Sequence, residues 1–136
     1  MADIRQVTED FAVAPQIGLA DAQAAARAGF TLLINNRPDG EESGQPTSAQ
    51  MEAAAKAAGL DYAYIPVRGM PTLEQVEAVR AATEAAKGPA LAYCRSGNRS
   101  IVTWSIGQAR SGARDTSELI RRGAAAGYDL SGVLGG

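Results

Sequence analysis

The run Ala90-Leu91-Ala92-Tyr93-Cys94-Arg95-Ser96-Gly97-Asn98-Arg99-Ser100 decides how this chain is read, and it holds the single cysteine. An apolar, strand-like segment ends at the thiol. A short polar loop follows, and a helical pattern resumes at Ile101-Val102. A strand–loop–helix junction points backbone N–H groups and the positive end of the helix dipole at whatever occupies the sulfur. That environment favours a thiolate and an anion beside it. Cys94 is therefore the candidate nucleophile. Arg99 is the candidate bidentate anion clamp, since a cation in the first turn of a helix opposes the dipole unless an anion compensates it. Arg95 stands at the rim. Gly97 and Asn98 are residue types that tolerate positive φ, as a tightly curled loop needs. Ser96 and Ser100 offer hydroxyls, Ser100 either to the sulfur or as a helix cap.

Composition narrows the chemistry. The chain has 136 residues, 46% hydrophobic and 21% charged, with a net charge of −2. This is the profile of one folded domain over 1–136, with no basic surface for nucleic acid or anionic membrane. The N-terminus carries Asp3, Arg5, Glu9 and Asp10 and does not read as a signal peptide, and no apolar run approaches bilayer length. A lone thiol fits a reducing compartment, so the expected location is cytoplasmic. There is no histidine, which removes Ser–His and Cys–His catalysis and imidazole-based zinc sites. Any nucleophile must be activated by backbone dipoles and cations.

Working outward, a first extended stretch lies within Ile4–Ala14. Asp21–Ala28 reads as a helix closed by Gly29, and Thr31–Ile34 as a strand running into Asn35-Asn36. Arg37–Pro46 is a loop rich in Pro and Gly. Thr47-Ser48-Ala49-Gln50 and Thr72-Leu73-Glu74-Gln75 have capping-box spacing and open two helices. Val76, Val79 and Ala82 supply the buried stripe of the second. Tyr62–Val67 reads as a strand ended by the Gly69–Pro71 turn, and Gly88-Pro89 breaks the helix before Ala90–Tyr93. Helices over Ile101–Arg110 and from Asp115 to Gly127 complete an α/β domain with a largely parallel sheet. Ligands of such sheets bind beyond the carboxyl ends of strands, where Cys94 falls. Asn36-Arg37-Pro38-Asp39-Gly40-Glu41 also follows a strand. It is either an ordinary turn with Arg37 and Glu41 paired, or a cleft wall in which Arg37, Asp39 and Glu41 join Met70. Trp104, Ile101 and Ile106 read as core or pocket wall.

The loop Cys94–Ser100 is similar to that of single-domain rhodaneses, although the Asp-Val-Arg and Gly-His-Ile-Pro-Gly signatures of those proteins are absent. Ala14-Pro15-Gln16, Gly29–Glu41, Gly59–Val67 and Gly88–Ser100 resemble dual-specificity phosphatases. From Ile4 to Leu130 the chain resembles the beta-lactamase-hydrolase-like, phosphatase-like domain family, also labelled a sulfur-transferase family. Ile34–Glu41, Tyr93–Ser100 and Ala126-Gly127-Tyr128-Asp129-Leu130 carry that likeness. The resemblance implies a cysteine (dual-specificity) phosphatase-like fold, a small mostly parallel sheet flanked by helices, with Cys94 as nucleophile and no metal or organic cofactor.

Three features depart from a working phosphatase. Tyr93 stands where such enzymes carry histidine. Four residues separate Cys94 from Arg99, one fewer than usual. Val67-Arg68-Gly69-Met70-Pro71-Thr72 holds no general acid, leaving Asp39 as the nearby substitute. A shorter loop suggests a tighter cup, and a sulfur atom needs less room and less acid help than a phosphoryl group. The expectation is therefore a sulfurtransferase. A Cys94 persulfide would carry sulfur from a small anionic donor (thiosulfate or glutathione persulfide) to a thiol, sulfite or cyanide acceptor, with a persulfide dioxygenase as a candidate partner. The alternatives are a cysteine phosphatase acting through a Cys94 phosphocysteine, and a non-catalytic anion-binding domain.

Overall fold

Short apolar runs separated by amphipathic helices leave little choice of topology, because each strand must return parallel to its neighbour across a helix. The structure, a computed structural model, describes residues 2–135. Strands β1 (Arg5–Thr8), β2 (Phe11–Ala14), β3 (Leu32–Asn35), β4 (Asp61–Tyr64) and β5 (Ala90–Tyr93) form one sheet in the order β1-β2-β5-β3-β4. β1 is antiparallel to β2, and the other pairings are parallel. Helices α1 (Asp21–Arg27), α2 (Ser48–Ala57), α3 (Leu73–Ala85), α4 (Asn98–Arg110), α5 (Thr116–Ala125) and α6 (Ser131–Leu134) flank it. The α/β fold expected from the sequence is present.

Alternation along the strands divides the core between two faces. On one side Phe11, Val13, Ile34, Ala90 and Ala92 meet α3, α4 and α5 through Val79, Ile101, Trp104 and Leu119. On the other, Leu33, Leu91 and Tyr93 meet α1 and α2 through Ala22, Ala25, Met51 and Ala55. Both central strands, β3 and β5, are buried throughout, as parallel strands covered on both faces must be. Each large aliphatic side chain withdrawn from water contributes about 1.5–3 kcal/mol.

The boundaries differ from the sequence reading at four places, each for a physical reason. The stretch within Ile4–Ala14 is a hairpin of two strands, with Glu9-Asp10 at its turn. The strand expected over Tyr62–Val67 stops at Tyr64 because Pro66 has no N–H for the ladder. Ile65 and Val67 nevertheless still donate to the carbonyls of Asn35 and Asn36, both at 2.9 Å. α4 starts at Asn98 rather than Ile101, since Gly97 adopts φ +91° and turns the chain directly into the helix. The short α6 is organised locally by Asp129, which accepts the Ser131 N–H and hydroxyl at 3.0 and 2.6 Å. Both capping boxes form as expected, on Thr47 and Thr72.

Parallel register brings the ends of the strands level. Tyr93 pairs with Ala14 and with Asn35, and Asn35 with Tyr64. The segments that follow these four residues therefore gather at one edge of the sheet. No helix among the described residues is long and apolar enough to cross a membrane.

Trp104 ties the helix behind Cys94 to the sheet, stacking on Phe11 with ring centroids 4.5 Å apart and planes 6° from parallel. Replacing it with alanine is expected to destabilise the protein by about 3–5 kcal/mol. Urea denaturation followed by circular dichroism measures this, and a loss below about 1 kcal/mol would contradict the assigned packing.

Candidate active site

Cys94 follows β5 directly and is fully buried. Its sulfur accepts the backbone N–H of Gly97 at 3.1 Å. The amides of Arg99 and Ser100 lie in the first turn of α4, where no intrahelical acceptor exists. A curled loop thus presents donors and a helix N-terminus to the sulfur, as anion sites do.

The curl rests on Gly97. Its φ of +91° suits glycine, and a Cβ there would lie 2.2 Å from the Tyr128 hydroxyl oxygen. That hydroxyl donates to the Ser96 carbonyl at 2.8 Å, pinning the loop from outside. The Ser96 hydroxyl accepts the Asn98 N–H at 3.2 Å, and the Arg95 carbonyl accepts the Gln16 N–H at 3.2 Å. The Arg95 and Asn98 side chains are exposed at the rim. Ser100 neither caps α4 nor reaches the sulfur; its hydroxyl is buried without a partner among the described residues.

Arg99 is held from two other loops. Its Nη1 donates to Glu41 Oε2 at 2.8 Å and to the Val67 carbonyl at 2.7 Å, and its Nη2 donates to Glu41 Oε1 at 2.8 Å. A guanidinium has five N–H donors in a rigid fork. Three are used here, which leaves Nε–H and the second Nη2 hydrogen, two parallel donors on one edge suited to an oxyanion.

Glu41 is itself shared. Arg37, only 3% exposed, donates from Nε to Glu41 Oε1 at 3.0 Å, from Nη1 to Gln16 Oε1 at 3.0 Å and from Nη2 to Glu42 Oε1 at 3.1 Å. Hydrogen bonding from Arg99, reinforced by Arg37 and opposed by burial, holds the Glu41 carboxyl far below the usual carboxylate range, at about 2. The Arg99 guanidinium is raised in turn, first by its bond to Glu41, with the Cys94 charge adding to the effect.

The structure thus brings together Cys94, Ser96, Gly97, Arg99, Arg37 and Glu41, and the Arg37–Glu41 pairing is both a local turn contact and a support for Arg99. Asp39 is engaged elsewhere: its Oδ1 accepts the Ser48 N–H at the start of α2 at 2.8 Å. Met70, 68% exposed, lies on the loop that supplies the Val67 carbonyl. A hollow of about 470 Å³ opens at the opposite edge between Asp10, Pro89, Trp104 and Arg114 and contains none of these groups.

The family described as beta-lactamase hydrolase-like protein, phosphatase-like domain, matches residues 3–111. The chain belongs to that family. A beta-lactamase hydrolase-like protein of Agrobacterium fabrum is 38% identical over 127 residues, which is 92% of this chain but 29% of that protein. The chain thus spans under a third of this curated relative. A solved structure from Neisseria meningitidis, described as a candidate phosphatase, is 35% identical and superposes with a TM-score of 0.84 over 97% of this chain and 94% of its own. Human DUSP28 has the same fold at 22% identity, with a TM-score of 0.69 over 91% of this chain and 80% of its own.

These likenesses overturn the sulfurtransferase expectation. The family and its 35%-identical solved relative are phosphatase-like. The error lay in letting the number of loop residues set the size of the cup. Glu41 and Val67 hold the Arg99 guanidinium, so loop length alone does not decide where its donors point. Tyr93 is a core residue. Alternation turns its side chain to the α1–α2 face, in the cluster with Leu33 and Met51, away from the thiol that follows it.

Gln16, Val67 and Tyr128 were not singled out as site residues. All three lie within segments that carry the resemblances, but Val67 acts through a backbone carbonyl, to which side-chain identity gives no clue.

Two outcomes follow from this geometry. Gly97→Ala should destabilise the protein, through left-handed strain of about 1–2 kcal/mol plus the Tyr128 clash. The loss should be smaller in combination with Tyr128→Phe; equal losses in both backgrounds, measured by urea unfolding, would contradict the contact. For Glu41, the folded pKa of about 2 lies below the ordinary carboxyl value of 4.5, so the carboxylate stabilises the fold above about 4.5 and that contribution fades as pH falls toward 2. The stability gap between wild type and Glu41→Gln should therefore shrink over this interval, and a gap independent of pH would contradict the network.

Proposed function

We propose that this domain is a cysteine-dependent phosphatase. The observation that carries the reading is the pairing of a buried sulfur, bonded to the Gly97 N–H, with an arginine whose outer edge is tied to Glu41 and Val67 while its Nε carries no hydrogen bond among the described residues. Family membership and the 35%-identical relative described as a candidate phosphatase support it.

The chemistry then takes two displacements. The Cys94 thiolate attacks the phosphorus of a bound monoester, forming an S–P bond as the ester P–O bond breaks and its electron pair leaves with the oxygen. Water next attacks the phosphocysteine, the S–P bond breaks, and inorganic phosphate and the thiolate are released. Arg99 and the first amides of α4 hold the non-bridging oxygens, whose charge distribution must be met throughout phosphoryl transfer. With no histidine in the chain, the thiolate depends on the Gly97 N–H, the α4 dipole and Arg99.

Turnover of an aryl phosphate by wild type and by Cys94→Ser tests this directly. Wild type should release phosphate and give a phosphoryl adduct on Cys94 after acid quench, while Cys94→Ser should do neither. Turnover that survives the substitution, or is absent from both proteins, would contradict the proposal; absence with retained phosphate binding would instead support an anion-binding domain. Arg99→Lys, which keeps the charge but loses the fork, should reduce kcat/KM by about 10²–10³-fold.

A further inference from the structure

The edge that holds Cys94 is built from four loops, and their acidic groups can be accounted for. Residues 15–20, 65–72 and 94–97 contain no aspartate or glutamate. The β3–α2 loop holds Asp39, Glu41 and Glu42. Glu41 lies between two guanidinium groups, with both oxygens accepting from Arg99 and one also from Arg37. Glu42 accepts from Arg37 at 3.1 Å. Asp39 accepts the Ser48 amide at 2.8 Å, where an oxygen acceptor closes the start of α2. Each of these carboxyl groups serves as an acceptor for a neighbouring N–H.

What borders the site instead is cationic and apolar. Arg68 and Arg95 are exposed, and neither makes an ion pair among the described residues. Met70 and Leu73 are the most exposed large apolar residues among the described residues, and both lie beside the loop that holds Arg99. These four side chains stabilise a departing oxyanion through charge and accept an apolar group, but they donate no proton. The remaining proton-bearing groups at this edge are the exposed Glu74 at the start of α3 and Tyr64, whose hydroxyl accepts the Asp39 N–H. Neither bonds to Arg99 or Cys94 among the described residues.

Resting on the phosphatase reading above, we infer that no side chain of this domain protonates the leaving oxygen, so its substrates are phosphoryl compounds whose leaving oxygen departs as a stable anion. Acidic phenols, carboxylates and phosphates meet that requirement, whereas the alkoxides of serine and threonine do not. In the first displacement the P–O electron pair stays on the oxygen, which leaves as the anion and takes its proton from water afterwards. General acids contribute about 10²–10⁴-fold in enzymes that have them, and that help is greatest for the poorest leaving groups.

The test is the dependence of kcat/KM, which reports steps through leaving-group departure, on the acidity of the leaving phenol. Wild-type protein is assayed with 4-nitrophenyl phosphate, phenyl phosphate and phosphoserine. From the first to the second, kcat/KM should fall by about 10²-fold or more, and phosphoserine should give no Cys94-dependent turnover. Asp39→Asn, Glu74→Gln and Tyr64→Phe remove the other proton-bearing side chains at this edge. Because the ratio between two substrates does not depend on the fraction folded, it should stay the same in all three. A nearly flat dependence in wild type, or a ratio that steepens in any one variant, would overturn the inference while leaving the phosphatase reading intact. Failure of even 4-nitrophenyl phosphate to turn over would remove the phosphatase reading, and this inference with it.

Discussion

The Glu41 carboxylate joins two guanidinium groups from different parts of the chain, and the site depends on that junction. Arg37 is buried, and a buried cation without partners is strongly destabilising. Three side-chain oxygens, from Glu41, Gln16 and Glu42, meet its donors. Glu41 then reaches Arg99, 58 residues further along the chain. The β2–α1, β3–α2 and β5–α4 segments are thereby locked together by charge-assisted hydrogen bonds, and the Val67 carbonyl adds the β4–α3 segment. Such bonds are shorter and stronger than neutral ones. They set where the Arg99 fork points before any ligand arrives, so little reorganisation is left for the moment of reaction.

That junction also reconciles a short loop with a phosphatase-like family. A loop that had to place its own arginine would be sensitive to the loss of one residue. Here the loop places only the sulfur and its amides, with Gly97 turning the chain and Tyr128 pinning Ser96 from outside. The guanidinium of Arg99 is held by the neighbouring loops. The two duties are separated, and the parallel sheet makes this possible by bringing four strand ends level at one edge.

Much of the fold was legible. Capping boxes at Thr47 and Thr72, the breaks at Gly29 and Gly88-Pro89, and the fully apolar Leu32–Ile34 and Ala90–Ala92 are local signals that long-range packing had no reason to override. The strand–thiol–loop–helix order placed Cys94 and Arg99 on chemical grounds. The support behind them was not legible. Glu41 could be seen to pair with Arg37 at helical spacing, but its reach to Arg99 is a tertiary contact that no spacing encodes. The Val67 carbonyl and the Tyr128 clamp are invisible for the same reason. Counting loop residues then led to sulfur because it assigned to the loop a task that other segments perform.

A crystal structure of the wild-type protein with vanadate, a phosphate-shaped anion able to bond to a thiolate, tests the central claim most directly. The vanadium should sit on Cys94 Sγ, with its oxygens on the Nε–Nη2 edge of Arg99 and on the first amides of α4, while Glu41 keeps both of its bonds to Arg99. Vanadate that displaces Glu41 from Arg99, or that leaves the Cys94 loop unoccupied at saturating concentration, would contradict it.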